Sequence, residues 1–329
     1  MKFTGSQIVA KALKANGVDY VAGMPGDGAW ALVESLLAPG TDIPFIHVMQ
    51  EHSGVHLADG YFRACGRPMA VVLAGPLRRS KAMGAVAVAQ AQASALLVIS
   101  GVHDDTAIMT IEQLPQALRQ AFETMLSDRA PVNLAIDVTV QAATLQTRLP
   151  PASLRAEQPP LVPTNIAVLR QARVSRSVLE ADAIVVVGAG GVQARVGELF
   201  PNHHPASHLG AETLGWAVPA AIGARLAMPA RQVVCAVGSA DFLQSMQEMA
   251  VCVMHSIPVV FLVFNGTGEF NLPDGKPYAP DFAGIARNFG LEAWRVEHAS
   301  HFNQTFTKAL NSTGPSLVEV MPAARAPQS

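Results

Sequence analysis

Short apolar runs alternate with helix-like segments along most of the chain, and this alternation limits the fold more than any other feature. Runs that are apolar on both faces fit strands covered on both sides, which is typical of parallel sheets flanked by helices. In the first half, the predicted strands are 20–22, 45–49, 69–73, 95–100 and 132–137, and the predicted helices are 6–16, 52–65, 82–91 and 114–126.

The alternation stops at a proline-rich stretch and then begins again. Five prolines fall between residues 149 and 163, with few apolar residues to anchor them, which favours a semi-extended linker. Beyond it, the predicted strands are 183–187, 233–237, 259–264 and 316–320, and the predicted helices are 218–226 and 243–254. The sequence therefore predicts two α/β domains, 1–148 and 164–329, joined by a linker at 149–163.

The composition excludes several classes of partner. Charged residues make up 15% of the chain, the formal net charge is −2, and the lysines and arginines form no long block. Such a chain lacks the basic patch that nucleic acid or an anionic membrane requires. We find neither the apolar core of a signal peptide nor a run long enough to span a bilayer. Cys65, Cys235 and Cys252 form no CxxC pair, which favours buried thiols, so we expect a cytoplasmic protein.

Two segments of the first half carry a family resemblance. Residues 4–28, TGSQIVAKALKANGVDYVAGMPGDG, and residues 48–68, VMQEHSGVHLADGYFRACGRP, resemble the pyrimidine-binding domain of the acetolactate synthase and benzoylformate decarboxylase family of thiamine-diphosphate enzymes. The resemblance implies that Glu51 is the catalytic carboxylate, because the cofactor's aminopyrimidine needs a carboxylic acid at its ring nitrogen to relay protons. It also implies cofactor contacts from Pro25 and Gly26 and a substrate contact from Asp27.

The second half resembles the diphosphate-binding domain of the same family. This resemblance covers residues 181–270 and is most specific in GAETLGWAVPAAIGA, residues 210–224. At the position of Leu214 the family has a bulky apolar residue that holds the cofactor in its bent shape. The residues implied to contact the cofactor in this half are Gly190, Gln193, Thr213, Leu214, Gly238, Ser239, Ala240, Asn265 and Thr267.

The chain departs from the family in two ways. The family usually has a central domain between the two halves, but here only the proline-rich linker occupies that place, so we expect no second cofactor. The family also holds Mg²⁺ through the aspartate of a Gly-Asp-Gly motif and a later asparagine, yet the corresponding triplet here is Gly238-Ser239-Ala240. The remaining candidate metal ligands are Asp241, Asn265 and Thr267. We therefore expect thiamine diphosphate as cofactor and a weakened site for Mg²⁺.

A basic loop, AGPLRRSKAMG at residues 74–84, stands where the family has a small glycine-rich active-site loop. Arg78 and Arg79, with Lys81 beside them, suit bidentate capture of a carboxylate, phosphonate or sulfonate group. They favour an anionic substrate, although an acid at Asp27 would repel one. The alternative is that these cations lie on a solvated helix turn or at a subunit interface.

Histidines and a glycine turn leave further interpretations open. His203 and His204, in PNHHPASH, are candidate proton donors; the alternatives are an exposed loop or a metal site that lacks an acidic or cysteine partner. The turn VVVGAGGVQARVG fits the start of a nicotinamide-binding fingerprint, but Gln193 replaces its third glycine. His56 matches a histidine common in the acetolactate synthase branch, and a structural role is its alternative.

Together these features predict two thiamine-diphosphate-binding domains and a decarboxylase or carboligase acting on a small, anionic 2-oxoacid. Because the family builds its cofactor site between subunits, we expect a homodimer or homotetramer. The main alternative is a protein that keeps this fold without the chemistry and serves as a binding or structural subunit. A nicotinamide-dependent dehydrogenase is a minor alternative.

Overall fold

Two parallel sheets, one in each half of the chain, organise the computed structural model, which describes residues 1–24, 26, 28–102, 107–147, 167–168, 179–180, 183–192, 213–266 and 270–321. The chain divides into two compact units, Met1–Leu161 and Val162–Ser329. Both units have the predicted α/β class. Within the described ranges, no helix is both long and apolar enough to cross a bilayer.

The first unit is built on five parallel strands. These are β2 Val21–Gly23, β3 Phe45–His47, β4 Met69–Leu73, β5 Leu96–Val102 and β6 Val132–Asp137, in the spatial order β3-β2-β4-β5-β6. The helices are α1 Gly5–Ala15, α2 Trp30–Leu37, α3 Glu51–Cys65, α4 Ala82–Ala91, α5 Leu114–Asp128 and α6 Val138–Ala142. A separate two-stranded sheet pairs β1, Lys2–Thr4, antiparallel with β7, Thr144–Gln146.

Local signals in the sequence decide where these elements begin and end. Thr4 and Gln7 form a capping box at the start of α1: Gln7 N donates to Thr4 Oγ1 at 3.2 Å and Thr4 N donates to Gln7 Oε1 at 2.9 Å. Gly66 ends α3 in the left-handed conformation, with φ of 72°. Every residue of β4 is buried, which explains its continuous apolar sequence.

The part of the second unit that the structure describes contains six strands, of which five are parallel. They are β8 Ala167–Val168, β9 Ile184–Val187, β10 Val233–Gly238, β11 Val260–Phe264, β12 Glu292–Val296 and β13 Ser316–Val320. Their spatial order is β12-β13-β11-β10-β9-β8, with β8 antiparallel at one edge. The described helices are α7 Ala217–Ala227, α8 Ser239–Ser245, α9 Met249–Met254, α10 Phe282–Phe289 and α11 Ala299–Leu310.

One predicted helix of the second unit is wrong in its extent. The pattern predicts a single helix at 243–254, whereas α8 begins at Ser239 and a 3₁₀ turn, Met246–Glu248, separates it from α9. Extended backbone at Gly238, with φ of −83° and ψ of 168°, lets α8 start directly after β10. This places Ser239 and Asp241 at the carboxyl end of a parallel strand, where α/β proteins bind their ligands.

All three cysteines are free thiols. Cys235 and Cys252 are buried and Cys65 is half-buried, and burial raises the pKa of each thiol above its ordinary value. The prediction of buried thiols is therefore confirmed for Cys235 and Cys252.

Candidate functional site

Glu51 is the first residue of α3 and follows β3 after a short connection. Gln50, the residue before the helix, has extended backbone, with φ of −141° and ψ of 145°. A carboxylate in the first helical turn is favoured by the unsatisfied main-chain N–H groups there. The sequence thus places a half-buried acid at the carboxyl edge of the first sheet.

Both oxygens of Glu51 accept hydrogen bonds from the basic loop at 74–84. Ala74 N donates to Oε1 at 2.9 Å, and Ser80 Oγ donates to Oε2 at 2.6 Å. Ser80 Oγ in turn accepts from Ala82 N at 2.9 Å, which fixes the hydroxyl at the start of α4. Gly26 lies against the same loop, since a Cβ added there would be 2.9 Å from Ala74 Cβ. Ala74 and Ser80 therefore bond Glu51 directly, and Gly26 packs against Ala74.

The cations of this loop are exposed and flank Ser80, the residue whose hydroxyl donates to Glu51. Arg78 and Arg79 belong to the 3₁₀ turn Leu77–Arg79, and both side chains face solvent, as does Lys81. Burial lowers the pKa of His52, the residue after Glu51, and the positive charge of Lys81 lowers it further. Lys81 thus acts electrostatically on the start of α3, where the candidate catalytic acid lies.

His56 lies one helical turn beyond His52 and is almost fully buried. The two ring centroids are 6.1 Å apart. Burial, and to a lesser degree His52, lowers the pKa of His56 from 6.5 to about 3, so its ring is neutral at physiological pH. Its Nδ1 makes no hydrogen bond to the residues that the structure describes. These features agree with a role in packing α3.

In the second unit, Asp241 connects two separate turns. Its Oδ2 accepts from Ala189 N at 3.0 Å, and its Oδ1 accepts from Gly215 N at 2.5 Å. Its exposed fraction is 1%. A Cβ at position 188 would collide with Oδ2, so Gly188 is needed for this approach. A metal ion at Asp241 would have to compete with these two main-chain amides.

Leu214 is presented to solvent by one of these turns. Its exposed fraction is 45%, although most of the leucines that the structure describes are buried. Gly215 has φ of 86°, a conformation that favours glycine, and its N–H is held by Asp241. An exposed apolar side chain next to a fixed turn is suited to contact a ligand. Thr213 is exposed beside it, and Gly190, with φ of 86°, is exposed in the turn after β9.

Ser239 and Asn265 lie side by side at the ends of β10 and β11. Ser239 Oγ is 3.2 Å from both Phe264 O and Asn265 Oδ1, to which it can donate. Gly266 N also donates to Asn265 Oδ1, at 2.8 Å. Gly238 precedes Ser239 at the strand end, and Ala240, with 6% exposure, adds no polar group. The structure thus brings together two of the residues that the sequence assigned to the diphosphate side.

This pair fits Mg²⁺ in spacing but not in charge. Neighbouring oxygen ligands of an octahedral Mg²⁺ with bonds of 2.0–2.1 Å lie about 3 Å apart. The 3.2 Å between Ser239 Oγ and Asn265 Oδ1 is close to that separation, provided that the hydroxyl proton turns to Phe264 O. Both oxygens are neutral, however, and among the described residues no three acidic, histidine or cysteine side chains group as a metal site. These two residues by themselves would therefore attract a divalent cation only weakly.

Several predicted site residues lie outside the described residues, namely Pro25, Asp27, Gln193, His203, His204 and Thr267. Ser80 and Asp241 make contacts that the sequence did not predict. Ser80 carried a signal, since it is the hydroxyl residue of the basic loop. The role of Asp241 toward two main-chain amides had no local signal.

Comparison with known proteins places both units in one family. Residues 3–128 match the family described as thiamine pyrophosphate enzyme, N-terminal TPP binding domain. Residues 188–320 match the thiamine pyrophosphate enzyme, C-terminal TPP binding domain. The chain therefore belongs to the thiamine pyrophosphate enzyme family, and no match to the family's central domain accompanies these two.

Curated relatives are similar over part of their length. The acetolactate synthase large subunit of Parasynechococcus marenigrum is 29% identical over 158 residues, 43% of this chain and 26% of the relative. The chloroplastic acetolactate synthase 2 of Zea mays is 28% identical over 163 residues, 43% of this chain and 26% of the relative. The matched region thus spans about a quarter of these relatives.

Solved structures are similar over almost the entire chain. The thiamine diphosphate-dependent 4-hydroxybenzoylformate decarboxylase of Rhodococcus jostii RHA1 has a TM-score of 0.77 at 17% identity, covering 98% of this chain and 99% of that one. A Mycobacterium smegmatis protein described as a thiamin diphosphate-dependent enzyme has a TM-score of 0.78 at 17% identity, covering 98% and 100%. At such identities these similarities establish the fold alone.

His56 should make stability depend on pH. Its pKa is about 3 in the folded protein against 6.5 ordinarily, so the unfolded chain binds a proton that the folded chain does not. The stabilisation is therefore complete above pH 6.5 and is lost progressively as the pH falls toward 3. Between pH 6.5 and about 5, we expect the free energy of unfolding to fall by about 2 kcal/mol through this group.

Urea unfolding at the two pH values tests this expectation. The variant His56→Leu should lose that part of the pH dependence, whereas His298→Gln, which removes an exposed imidazole, should keep the wild-type dependence. An unchanged dependence in His56→Leu would contradict the assignment.

Replacing Ser239 with aspartate should add a charged candidate ligand beside Asn265. We expect Mg²⁺ to strengthen binding of thiamine diphosphate about tenfold more in Ser239→Asp than in the wild type, because ligand charge tunes cation affinity. Without Mg²⁺ the new carboxylate faces Phe264 O and Asn265 Oδ1, so the variant should be less stable. Calorimetric titration over a series of Mg²⁺ concentrations measures the gain. Ser239→Ala is the control, and equal Mg²⁺ dependence in all three proteins would refute the prediction.

Proposed function

We propose that the protein is a thiamine-diphosphate-dependent decarboxylase or carboligase acting on a small, anionic 2-oxoacid. The observation that carries this proposal is the arrangement around Glu51. A half-buried carboxylate at the sheet edge is bonded to Ala74 N and Ser80 Oγ of a loop whose Arg78 and Arg79 are exposed. Membership of the family supports the cofactor, and the loop supports the anionic substrate.

Bound thiamine diphosphate supplies a carbon nucleophile and an electron sink for breaking or forming a carbon–carbon bond. The protein's share is to hold the cofactor and to move protons. Oε1 of Glu51 faces the N–H of Ala74, so a proton on this carboxyl group belongs on Oε2. Ser80 faces Oε2 with a hydroxyl, which can turn to accept that proton's hydrogen bond. Glu51 Oε2 is therefore the atom that we propose exchanges protons with the aminopyrimidine.

Arg78 and Arg79 are the proposed substrate contacts. Guanidinium groups bind carboxylate, phosphonate and sulfonate oxygens in pairs, and an exposed pair of them suits a small anion. Asp27 is the third proposed substrate contact, and the two arginines would offset its repulsion of an anion. Decarboxylation and carboligation would use the same residues and differ in whether a second carbonyl substrate can enter.

On the diphosphate side, the proposed contacts are those implied by the family resemblance. Asp241 fixes the turns that carry Gly190 and Leu214, and exposed Leu214 offers an apolar contact to the cofactor. His203 and His204 remain proposed proton donors. We also propose that two or four copies of the chain assemble, since the family completes its site with a second subunit. Three free thiols favour a reducing compartment such as the cytoplasm.

A protein that keeps the fold without the chemistry is the second candidate. The neutral Ser239 and Ala240 favour it, since neither offers a negative charge to a metal ion. The exposed Leu214 and the hydrogen-bonded Glu51 favour the enzyme. A nicotinamide-dependent dehydrogenase has less support, because its glycine turn begins the region matched by the thiamine pyrophosphate domain.

Glu51→Gln should separate catalysis from folding. An amide cannot relay a proton, so we expect turnover of an accepted 2-oxoacid to fall by about 10²- to 10⁴-fold. Calorimetric titration of wild type and variant with thiamine diphosphate, with and without Mg²⁺, should show weaker cofactor binding in the variant. Glu123→Gln, which alters an exposed carboxylate on α5, should leave both measurements unchanged. No cofactor binding by the wild-type protein at millimolar concentration would overturn the proposed function and favour the second candidate.

The double variant Arg78→Ala, Arg79→Ala should lose affinity for anionic substrates. We expect KM for a 2-oxoacid with a second anionic group to rise about tenfold or more, since each charged hydrogen bond is worth roughly 1.5–3 kcal/mol. For a 2-oxoacid with a neutral side chain the rise should be smaller. Steady-state kinetics with both substrates measures the difference, and Arg119→Ala, an exposed arginine on α5, is the control. Equal effects on both substrates would show that the arginines do not select for the second anion.

A further inference from the structure

Glu319 is a buried carboxylate on β13, the strand that pairs with β11. Its exposed fraction is 0%. Oε1 accepts from Asn265 Nδ2 at 2.6 Å, and Oε2 accepts from Ala283 N at 2.9 Å. Arg295, on β12, donates to Oε1 at 3.1 Å and to Oε2 at 3.2 Å. An unpaired charge in the interior is costly, so these hydrogen bonds fix the orientation of the Glu319 carboxylate.

The bonds around Asn265 determine which way its amide faces. A carboxylate and a main-chain carbonyl only accept hydrogen bonds, and Glu319 Oε1 and Pro280 O both lie 2.6 Å from the same amide atom, which must be Nδ2. The other atom, Oδ1, faces two donors, Gly266 N at 2.8 Å and Ser239 Oγ at 3.2 Å. Turning the amide over would place acceptor against acceptor and donor against donor.

Arg295 pairs with Glu319 and holds its carboxylate in place. Its guanidinium contacts both oxygens of Glu319 and also Asp281, at 3.2 Å, and the hydrogen bond to Glu319 raises the pKa of Arg295. Ala283 N belongs to the first turn of α10, where negative charge is favoured. Glu319 is thus held by a strand and a helix, and Oε1 keeps one direction toward Asn265.

We propose that Glu319 is a positioning residue that keeps Asn265 Oδ1 turned toward Ser239, as an oxygen ligand for a cation beside the cofactor's diphosphate. This inference rests on the proposed function, because it requires cofactor and cation to bind at Ser239 and Asn265. An amide nitrogen in that position would repel the cation, whereas an oxygen is the ligand that Mg²⁺ prefers. Glu319 acts through Asn265, as the hydrogen-bonding partners of metal ligands do.

The test compares Glu319→Gln with Glu248→Gln, which alters another glutamate of the same unit with 0% exposure. A glutamine at 319 has two possible orientations. In one, its NH₂ group faces the NH₂ group of Asn265; in the other, it faces the N–H groups of Ala283 and Arg295. Two donors oppose each other in both cases. The first readout is hydrogen exchange of the Asn265 side-chain NH₂ in cofactor-free protein, followed by NMR and assigned with Asn265→Ser. We expect exchange about tenfold faster in Glu319→Gln and unchanged in Glu248→Gln.

The second readout is calorimetric titration with thiamine diphosphate at a fixed Mg²⁺ concentration. We expect about tenfold weaker affinity in Glu319→Gln, the usual cost of losing a partner of a metal ligand, and wild-type affinity in Glu248→Gln. Both substitutions should lower Tm. A Glu319→Gln protein with lowered Tm but unchanged affinity and unchanged Asn265 exchange would reduce Glu319 to a structural role and overturn the proposal.

If Glu319→Gln does not fold, Glu319→Asp keeps the charge and shortens its reach, and it should change both readouts in the same direction. A wild-type protein that binds no thiamine diphosphate would overturn the proposed function and the cation role together. The exchange measurement would then still decide whether Glu319 orients Asn265. Failure of the proposed function and failure of the role proposed for Glu319 are therefore distinguishable.

Discussion

The buried carboxylate of Asp241 is the contact on which the diphosphate half of the site depends. It accepts hydrogen bonds from Ala189 N and Gly215 N, which belong to turns 26 positions apart in the chain. The buried carboxylate of Asp241 needs hydrogen-bond donors, and the N–H groups of Ala189 and Gly215 need acceptors, so these bonds satisfy both requirements. Because Gly215 is tied in this way, Leu214 has a fixed place although its side chain is exposed.

Glu51, like Asp241, is a carboxylate that accepts a hydrogen bond on each oxygen, but one of its donors is of a different kind. Both oxygens of Asp241 accept hydrogen bonds from main-chain N–H groups. A main-chain N–H group can only donate, so a protonated Asp241 could not donate a hydrogen bond to either of these partners. Asp241 is therefore suited to fix the two turns. Glu51 faces one N–H and one hydroxyl, and the hydroxyl of Ser80 can donate or accept. Half-burial adds access to solvent and ligand. Glu51 therefore has the surroundings of a group that exchanges protons.

Charge is distributed unequally between the surroundings of Glu51 in the first unit and those of Ser239 and Asn265 in the second. In the first unit, three exposed cations, Arg78, Arg79 and Lys81, belong to the loop whose Ala74 and Ser80 bond Glu51. In the second, Ser239 and Asn265 offer neutral oxygens, and the buried charge of Glu319 is balanced by Arg295. The pair Ser239 and Asn265 thus brings no negative charge of its own, while Asn265 is held from behind by a charged residue, Glu319.

The sequence by itself determined the two α/β units and most of their strands, and it supplied Glu51 as the candidate acid and Ser239 and Asn265 as candidate residues of the diphosphate side. These features rest on local periodicity and on short motifs, in which neighbours in the chain carry the information. Only the tertiary structure decided that Asp241 binds main-chain amides, that Ser80 faces Glu51 and that Glu319 orients Asn265. Those bonds join residues separated by 26 to 54 positions, and a main-chain amide, which every residue but proline carries, leaves no trace in the sequence.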